Sequence, residues 1–137
     1  MTISAQEQQE VAKIANDYFL KELGSQEEAD LAMGKLAKLV QDKGAKLVHL
    51  GNVLFLVLVR GKGIVEIHTM GNEPNPMDLV KDFVDLANYL KNIKTKVVYT
   101  YSEDNKFSRI AKLTGLPIRQ EKKVINGKEV NVYILEF

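Results

Sequence analysis

Seven consecutive apolar residues, VLFLVLV at 53–59, constrain this chain more than any other segment. Successive side chains of a strand point to opposite faces, so a strand apolar at every position has to be covered on both sides. Seven residues are far too few to span a bilayer, and the length suits a buried strand. Whatever else the chain forms must therefore place a layer on each face of a sheet in which 53–59 is central.

The segments before it supply one layer. SAQE (4–7) and SQEE (25–28) both have the spacing of a capping box, in which Ser and Glu satisfy each other's orphan amides. After the first, Val11, Ile14, Ala15, Tyr18, Phe19 and Leu23 recur at helical spacing. After the second, Ala29, Met33, Leu36 and Val40 do the same. Gly24 and Gly44 are the expected stops, because glycine takes the left-handed cap at little cost. Two amphipathic helices so closely joined should pack as a hairpin. Strands then follow at about 46–50, 53–60 and 63–70, with turns at Gly51-Asn52 and Gly61-Lys62-Gly63.

The second layer comes next. Asn75-Pro76-Met77-Asp78 is a helix start: an Asn cap, Pro in the first turn, and Asp where the helix dipole favours it. Leu79, Val80, Phe83, Leu86, Ala87 and Leu90 form its apolar face. The strand KVVYTY (96–101) makes a right-handed crossover and a parallel pair. A short helix over 104–114 ends at Gly115, and two strands flank Asn126-Gly127, a type I′ hairpin signal. The order is ααβββαβαββ. It defines an α/β fold, a mixed sheet with helices on both sides, in a single domain over 1–137.

Composition excludes several chemistries. There is no cysteine, so no disulfide, thiolate metal site or cysteine nucleophile exists, and a reducing, cytoplasmic setting fits. Two histidines, His49 and His68, are too few for most histidine metal sites, and no metal is expected. The N-terminus is polar and acidic, unlike a signal peptide. Residues 1–30 carry seven acidic and two basic groups, whereas 91–128 carry ten basic and three acidic ones. Two solvated faces of opposite sign explain this, with an anion site as the sharper alternative. No Lys/Arg run is dense enough to indicate nucleic acid.

This order of elements resembles the GNAT-type N-acetyltransferase superfamily without its first strand. The local likeness is best in DNKFSRIAKLTGLPIRQEKKVINGKEVNVYILEF (104–137), where a short helix ends in glycine and a hairpin finishes the sheet. The tail and the short length also look like small GNAT-like proteins encoded by tailed phages. The resemblance implies a parallel strand pair that splays apart to admit acetyl-coenzyme A, and an acyl acceptor that is a small-molecule or protein amine. It also implies that a helix N-terminus binds the cofactor pyrophosphate. On this chain those contacts fall to Met70, Gly71, Met77, Asp78 and Leu79. Lys106, Arg109 and Lys112 share one face of the short helix, where Lys106 and Arg109 would reach a further phosphate.

Two departures stand beside the likeness. The family's Arg/Gln-x-x-Gly-x-Gly/Ala signature is replaced by MGNEPNPMD (70–78). There Pro76 removes an amide donor, and Glu73 is expected to repel a pyrophosphate. RGKG (60–63) imitates the signature but falls in a hairpin turn, so it is a decoy. Counting back four residues from Gly115, where many members carry a tyrosine that protonates the leaving thiolate, gives Ala111. Tyr99 and Tyr101 on the preceding strand are the nearest substitutes, with Tyr101 taken as the candidate.

The family's chemistry also needs a base. On GIVEIHTM (63–70), alternation puts Ile64, Glu66, His68 and Met70 on one face and Val65, Ile67 and Thr69 on the other. Glu66 or His68 can serve, a carboxylate beside an imidazole. The plainer alternative is a polar pair on a solvated face or under the N-terminal helices. A β-bulge in this strand would reverse part of the alternation. His49, on the edge strand, is expected at the surface. Two functions therefore remain open. One is a divergent acetyl-coenzyme A-dependent N-acyltransferase. The other is a non-catalytic relative that binds or builds, in a phage particle for instance. Under either reading the final hairpin is placed to pair subunits as a homodimer.

Overall fold

The computed structural model describes residues 5–103 and 106–137. Its elements are α1 (Ala5–Leu23), α2 (Gln26–Gln41), β1 (Ala45–Leu50), β2 (Val53–Gly61), β3 (Ile64–Gly71), α3 (Pro76–Asn92), β4 (Val97–Ser102), α4 (Lys106–Leu113), β5 (Arg119–Ile125) and β6 (Lys128–Glu136). They follow the order expected from the sequence. The strands form one six-stranded sheet, β1-β2-β3-β4-β6-β5. Only β3 and β4 run parallel. The other neighbours are antiparallel.

The apolar run does what its pattern requires. Val53, Phe55 and Val57 point into a core closed by Phe83, Leu86, Ala87 and Leu90 of α3. Leu54 and Leu56 point the other way, into a core with Ala15 of α1 and Leu36 of α2. Leu54 and Phe55 are both 0% exposed. At 25–30 cal/mol per Å², each such side chain contributes roughly 1.5–3 kcal/mol of burial. Cover is poorest at the far end, where Val59 is 49% exposed.

Helix ends follow local chemistry, with one correction. Ser25 caps α2, its Oγ accepting from the Glu28 amide at 3.2 Å. Ser4, the other proposed cap, lies outside the described residues. Gly24 ends α1 at φ +81°. The stop of α2 is not Gly44 but Lys43, which takes the left-handed conformation at φ 61° while the Gly44 amide donates to the Leu39 carbonyl. The last turn is the type I′ hairpin expected, with Asn126 at φ 52° and Gly127 at φ 79°.

One feature of the sheet decides where a ligand can go. The β3–β4 ladder holds three residue pairs, Ile64↔Val97, Val65↔Val98 and Glu66↔Tyr99. β3 runs on to Gly71 and β4 to Ser102, so the two strands part after Glu66 and Tyr99. From Thr100 to Ser102, β4 stays paired with β6 on its other side.

Candidate active site

A cleft of about 380 Å³ opens where β3 and β4 part. It passes through the sheet. Tyr18, His68 and Tyr101 line it on the α1–α2 side, and Leu79, Phe107 and Ile110 on the α3–α4 side. Thr69, Thr100 and Ser102 complete its walls. The β3 edge from Ile67 onward has no strand partner on this side, and backbone amides and carbonyls in such a place require a partner from water or a ligand.

Glu66 sits at the branch point of the two strands. It is 6% exposed, and its carboxylate collects donors from three elements. Tyr99 Oη donates at 3.0 Å, Arg60 Nε at 3.3 Å, and His68 Nε2 closes on the other oxygen. Burial is the largest influence and pushes the Glu66 carboxyl up. The hydrogen bonds from His68, Arg60 and Tyr99 together outweigh it and hold the group below the ordinary glutamate value. Glu66 is thus ionised at neutral pH, and its burial is matched by pairing. The same contacts raise the Arg60 guanidinium further. Burial, then Glu66, raises the Tyr99 phenol.

The alternation expected on β3 holds. Glu66, His68 and Met70 share the α1–α2 face, and a bulge does interrupt the ladder, but on β2 between Val59 and Gly61, where it leaves β3 in phase. The bulge is also the position of Arg60. The sequence pointed to Glu66 and His68 as neighbours and dismissed RGKG as a turn. The turn is there, yet its first residue anchors the carboxylate. Tyr101 lies edge-to-face on His68, ring centres 5.8 Å apart and planes at 88°, with 39% of its surface exposed. Tyr99, weighed from sequence beside Tyr101 as a substitute tyrosine, instead holds Glu66, and Tyr18 was not assigned to the site. Tyr99 is found by its register opposite Glu66. Tyr18 reads in sequence as one more apolar position of α1, though burial, then Glu22, raises its phenol. His49, expected at the surface, is tucked beneath α1 with Nδ1 3.7 Å from a Glu7 carboxylate oxygen.

The residues assigned to cofactor phosphates are less well brought together. Leu79 lines the cleft. The Met77 amide already donates to Asn75 Oδ1 at 3.0 Å, and the Asp78 amide to the Asn75 carbonyl at 3.0 Å. Pro76 has no amide hydrogen. The Met70 side chain is 1% exposed and belongs to the core under α1 and α2. Gly71 is required by the fold: at φ +89°, an added Cβ would lie 2.9 Å from the Asn52 carbonyl oxygen and 3.1 Å from Ile14. Arg109 is exposed on α4, and nothing is described of the Lys106 side chain. Glu73 does not face the α3 N-terminus as a repelling charge. It is 7% exposed and turned under the β1–β2 turn, where Asn52 Nδ2 donates to it at 2.8 Å. Ala111 of α4 is buried, as its place on the apolar stripe demands. Among the described residues, no three His, Asp or Glu side chains converge on a metal site, and no helix is long and apolar enough to cross a membrane.

This mixed sheet, split at its single parallel pair with a helix hairpin on one face and two helices on the other, is a fold shared with solved acetyltransferases, among them one assigned to the GNAT family, from Desulfovibrio desulfuricans. A ribosomal-protein-alanine N-acetyltransferase of Brucella melitensis superposes with a TM-score of 0.66 at 11% identity, over 100% of this chain and 98% of that one. A ribosomal L7/L12 α-N-protein acetyltransferase solved with coenzyme A gives 0.63 at 12%, over 96% and 88%. A variant spermidine N-acetyltransferase of Vibrio cholerae gives 0.62 at 13%, over 79% and 75%. No family model and no curated sequence matches the chain. At these identities the likeness establishes the fold and leaves the chemistry to the site.

Proposed function

We propose that the protein is a divergent acetyl-coenzyme A-dependent N-acyltransferase acting on an amine. The observation that carries this reading is the coincidence of the β3–β4 cleft with an ionised Glu66 bonded to His68 at its wall. Acetyl-coenzyme A would supply the acyl group as a thioester. The cleft fits its slender end: the unpaired β3 edge offers amides and carbonyls, and Leu79, Phe107 and Ile110 offer apolar cover. The phosphate end is poorly provided for, because Asn75 occupies the Met77 amide and no glycine cradle is present. The exposed cations Arg109 and Lys112 of α4, with Lys106 beside them in sequence, are left to meet the phosphates.

Within this scheme the chain moves protons. Glu66, held ionised, accepts from His68 Nε2 and fixes the ring with the Nδ1 lone pair available. His68 takes the proton of the attacking amine. Tyr101, whose ring lies edge-to-face on His68 in the cleft wall, would give its hydroxyl proton to the departing sulfur. A binding protein without turnover is the second reading, favoured by the occupied Met77 amide. Thiol release from acetyl-coenzyme A over a panel of polyamines and peptide N-termini separates the two. Loss of general-base help in His68→Asn should lower kcat by about 10²–10⁴-fold. Wild-type turnover no faster than that of His68→Asn on every amine would leave only the binding reading.

A further inference from the structure

Away from the cleft, two buried carboxyl groups come together, and among the described residues neither forms an ion pair. Glu73, in the loop before α3, and Asp82, on the buried side of α3, are 7% and 6% exposed. Each acts on the other, Glu73 raising the Asp82 carboxyl and Asp82 lowering that of Glu73. Both converge on Gly51 of the β1–β2 turn, where an added Cβ would overlap Glu73 and lie 3.1 Å from Asp82 Oδ1. Asn52 Nδ2 serves Glu73, but Asp82 Oδ2 is buried without a hydrogen-bond partner. The charged groups that push Asp82 up are Glu73, Asp85 and Asp78, and the β1–β2 turn between them carries the uncharged Gly51 and Asn52.

Two carboxylates in contact inside a protein cannot both be ionised without a cation or a proton between them. No third acidic or histidine side chain completes a metal site among the described residues. We propose that Glu73 and Asp82 share one structural proton, and that this proton ties the β1–β2 turn and the 72–75 loop to α3 as a pH-sensitive latch.

The consequences follow from linkage. Burial and then Glu73 push Asp82 from 3.8 up to about 7, while the bond from Asp82 keeps Glu73 below its ordinary 4.5. An unfolded chain has released both protons by about pH 5.5, roughly one unit above the higher ordinary value, whereas the native pair keeps one until about pH 7. Unfolding in that window releases a proton, so stability falls as pH rises through it. Above it the two charges repel, and Glu73 is the partner nearer solvent-exposed chain. Its departure frees the segment 72–75 that leads into the Asn75 cap and so into Leu79 at the cleft wall.

The test is urea unfolding from pH 5 to pH 8.5 for wild type, Asp82→Asn and Glu73→Gln, with carbon-detected NMR of the carboxyl groups. In wild type, the logarithm of the unfolding constant should climb by up to one per pH unit between about pH 5.5 and about pH 7. Asp82→Asn donates to Glu73 without a proton, so that component should vanish and the variant should exceed wild type at pH 8.5. Glu73→Gln should flatten the profile in the same way, so one misfolding variant does not end the test. One carboxyl should titrate near pH 7, with backbone shifts at residues 72–79. Ordinary titration of both groups would overturn the latch. So would variants with the wild-type pH slope, or calcium or magnesium restoring stability at pH 8.5, which would put a cation where the proton is placed.

Discussion

Replacing Tyr99 with Phe removes one hydroxyl and leaves the ring, so it isolates a single donor to Glu66. In the structure Tyr99 Oη lies 3.0 Å from Glu66 Oε1, and Glu66 is 6% exposed. A hydrogen bond to a charged group is worth about 1.5–3 kcal/mol. Tyr99 is only half-buried, so water recovers part of this, and a loss of about 1.5 kcal/mol at pH 7.5 is expected. In a Glu66→Gln background the same change removes a neutral bond, worth about 0.5–1 kcal/mol. The double-mutant cycle should therefore show a coupling of about 0.5–1 kcal/mol, read from urea midpoints at constant m. Acid should narrow the Tyr99→Phe deficit. Glu66 is held below its ordinary value in the fold, so its contribution is present above 4.5 and is lost as pH falls through the native value. Equal losses in both backgrounds, or a deficit unchanged in acid, would show that Tyr99 acts on Glu66 by packing alone. The ionised Glu66 assigned to the site would then lack its support.

Other perturbations probe other parts. Gly51→Ala should cost about 3 kcal/mol and Gly127→Ala about 1 kcal/mol, because both glycines have positive φ but only at Gly51 would a Cβ meet other atoms, the Glu73 and Asp82 carboxyls. Thermal melts decide, and equal shifts would contradict the crowding at Gly51. Phe83→Ala removes the ring that stacks on both Phe55 and Phe107, at 5.1 and 4.9 Å, and should destabilise by about 3–5 kcal/mol. Denaturant unfolding reads it, and a loss under 1 kcal/mol would mean that the α3 face is not close-packed. Asn75→Gly keeps the α3 cap within a few tenths of a kcal/mol while freeing the Met77 amide. Calorimetry should find tighter acetyl-coenzyme A binding in this variant, and weaker binding would mean that Asn75 itself holds the ligand.

Much of the scaffold was legible because it rests on local chemistry. The two-faced run at 53–59, the Asn75 cap and the Asn126-Gly127 turn each fix one element by a short-range rule, and each is found in place. The stop at Lys43 was not legible, since a lysine reaches the left-handed region only where the surrounding fold holds it there. In the site, the Glu66–His68 contact followed from alternation along one strand. Arg60 and Tyr99 reach Glu66 through a bulge on β2 and a parallel register with β4, and pairing between strands leaves no local mark in sequence. Glu73 shows the same limit from the other side. Its place before α3 suggested a charge beside a ligand, whereas its partners, Asn52 and Asp82, lie 21 and 9 residues away in different elements.

The cleft between β3 and β4 is tested most directly by titrating the isotope-labelled protein with acetyl-coenzyme A and following its backbone amides. The shifts should concentrate in 67–71 of β3, in 100–102 of β4, and at Leu79, Phe107 and Ile110. Amides that stay unmoved at millimolar ligand, or shifts confined to the β5–β6 hairpin, would contradict a cofactor site in the split of the sheet.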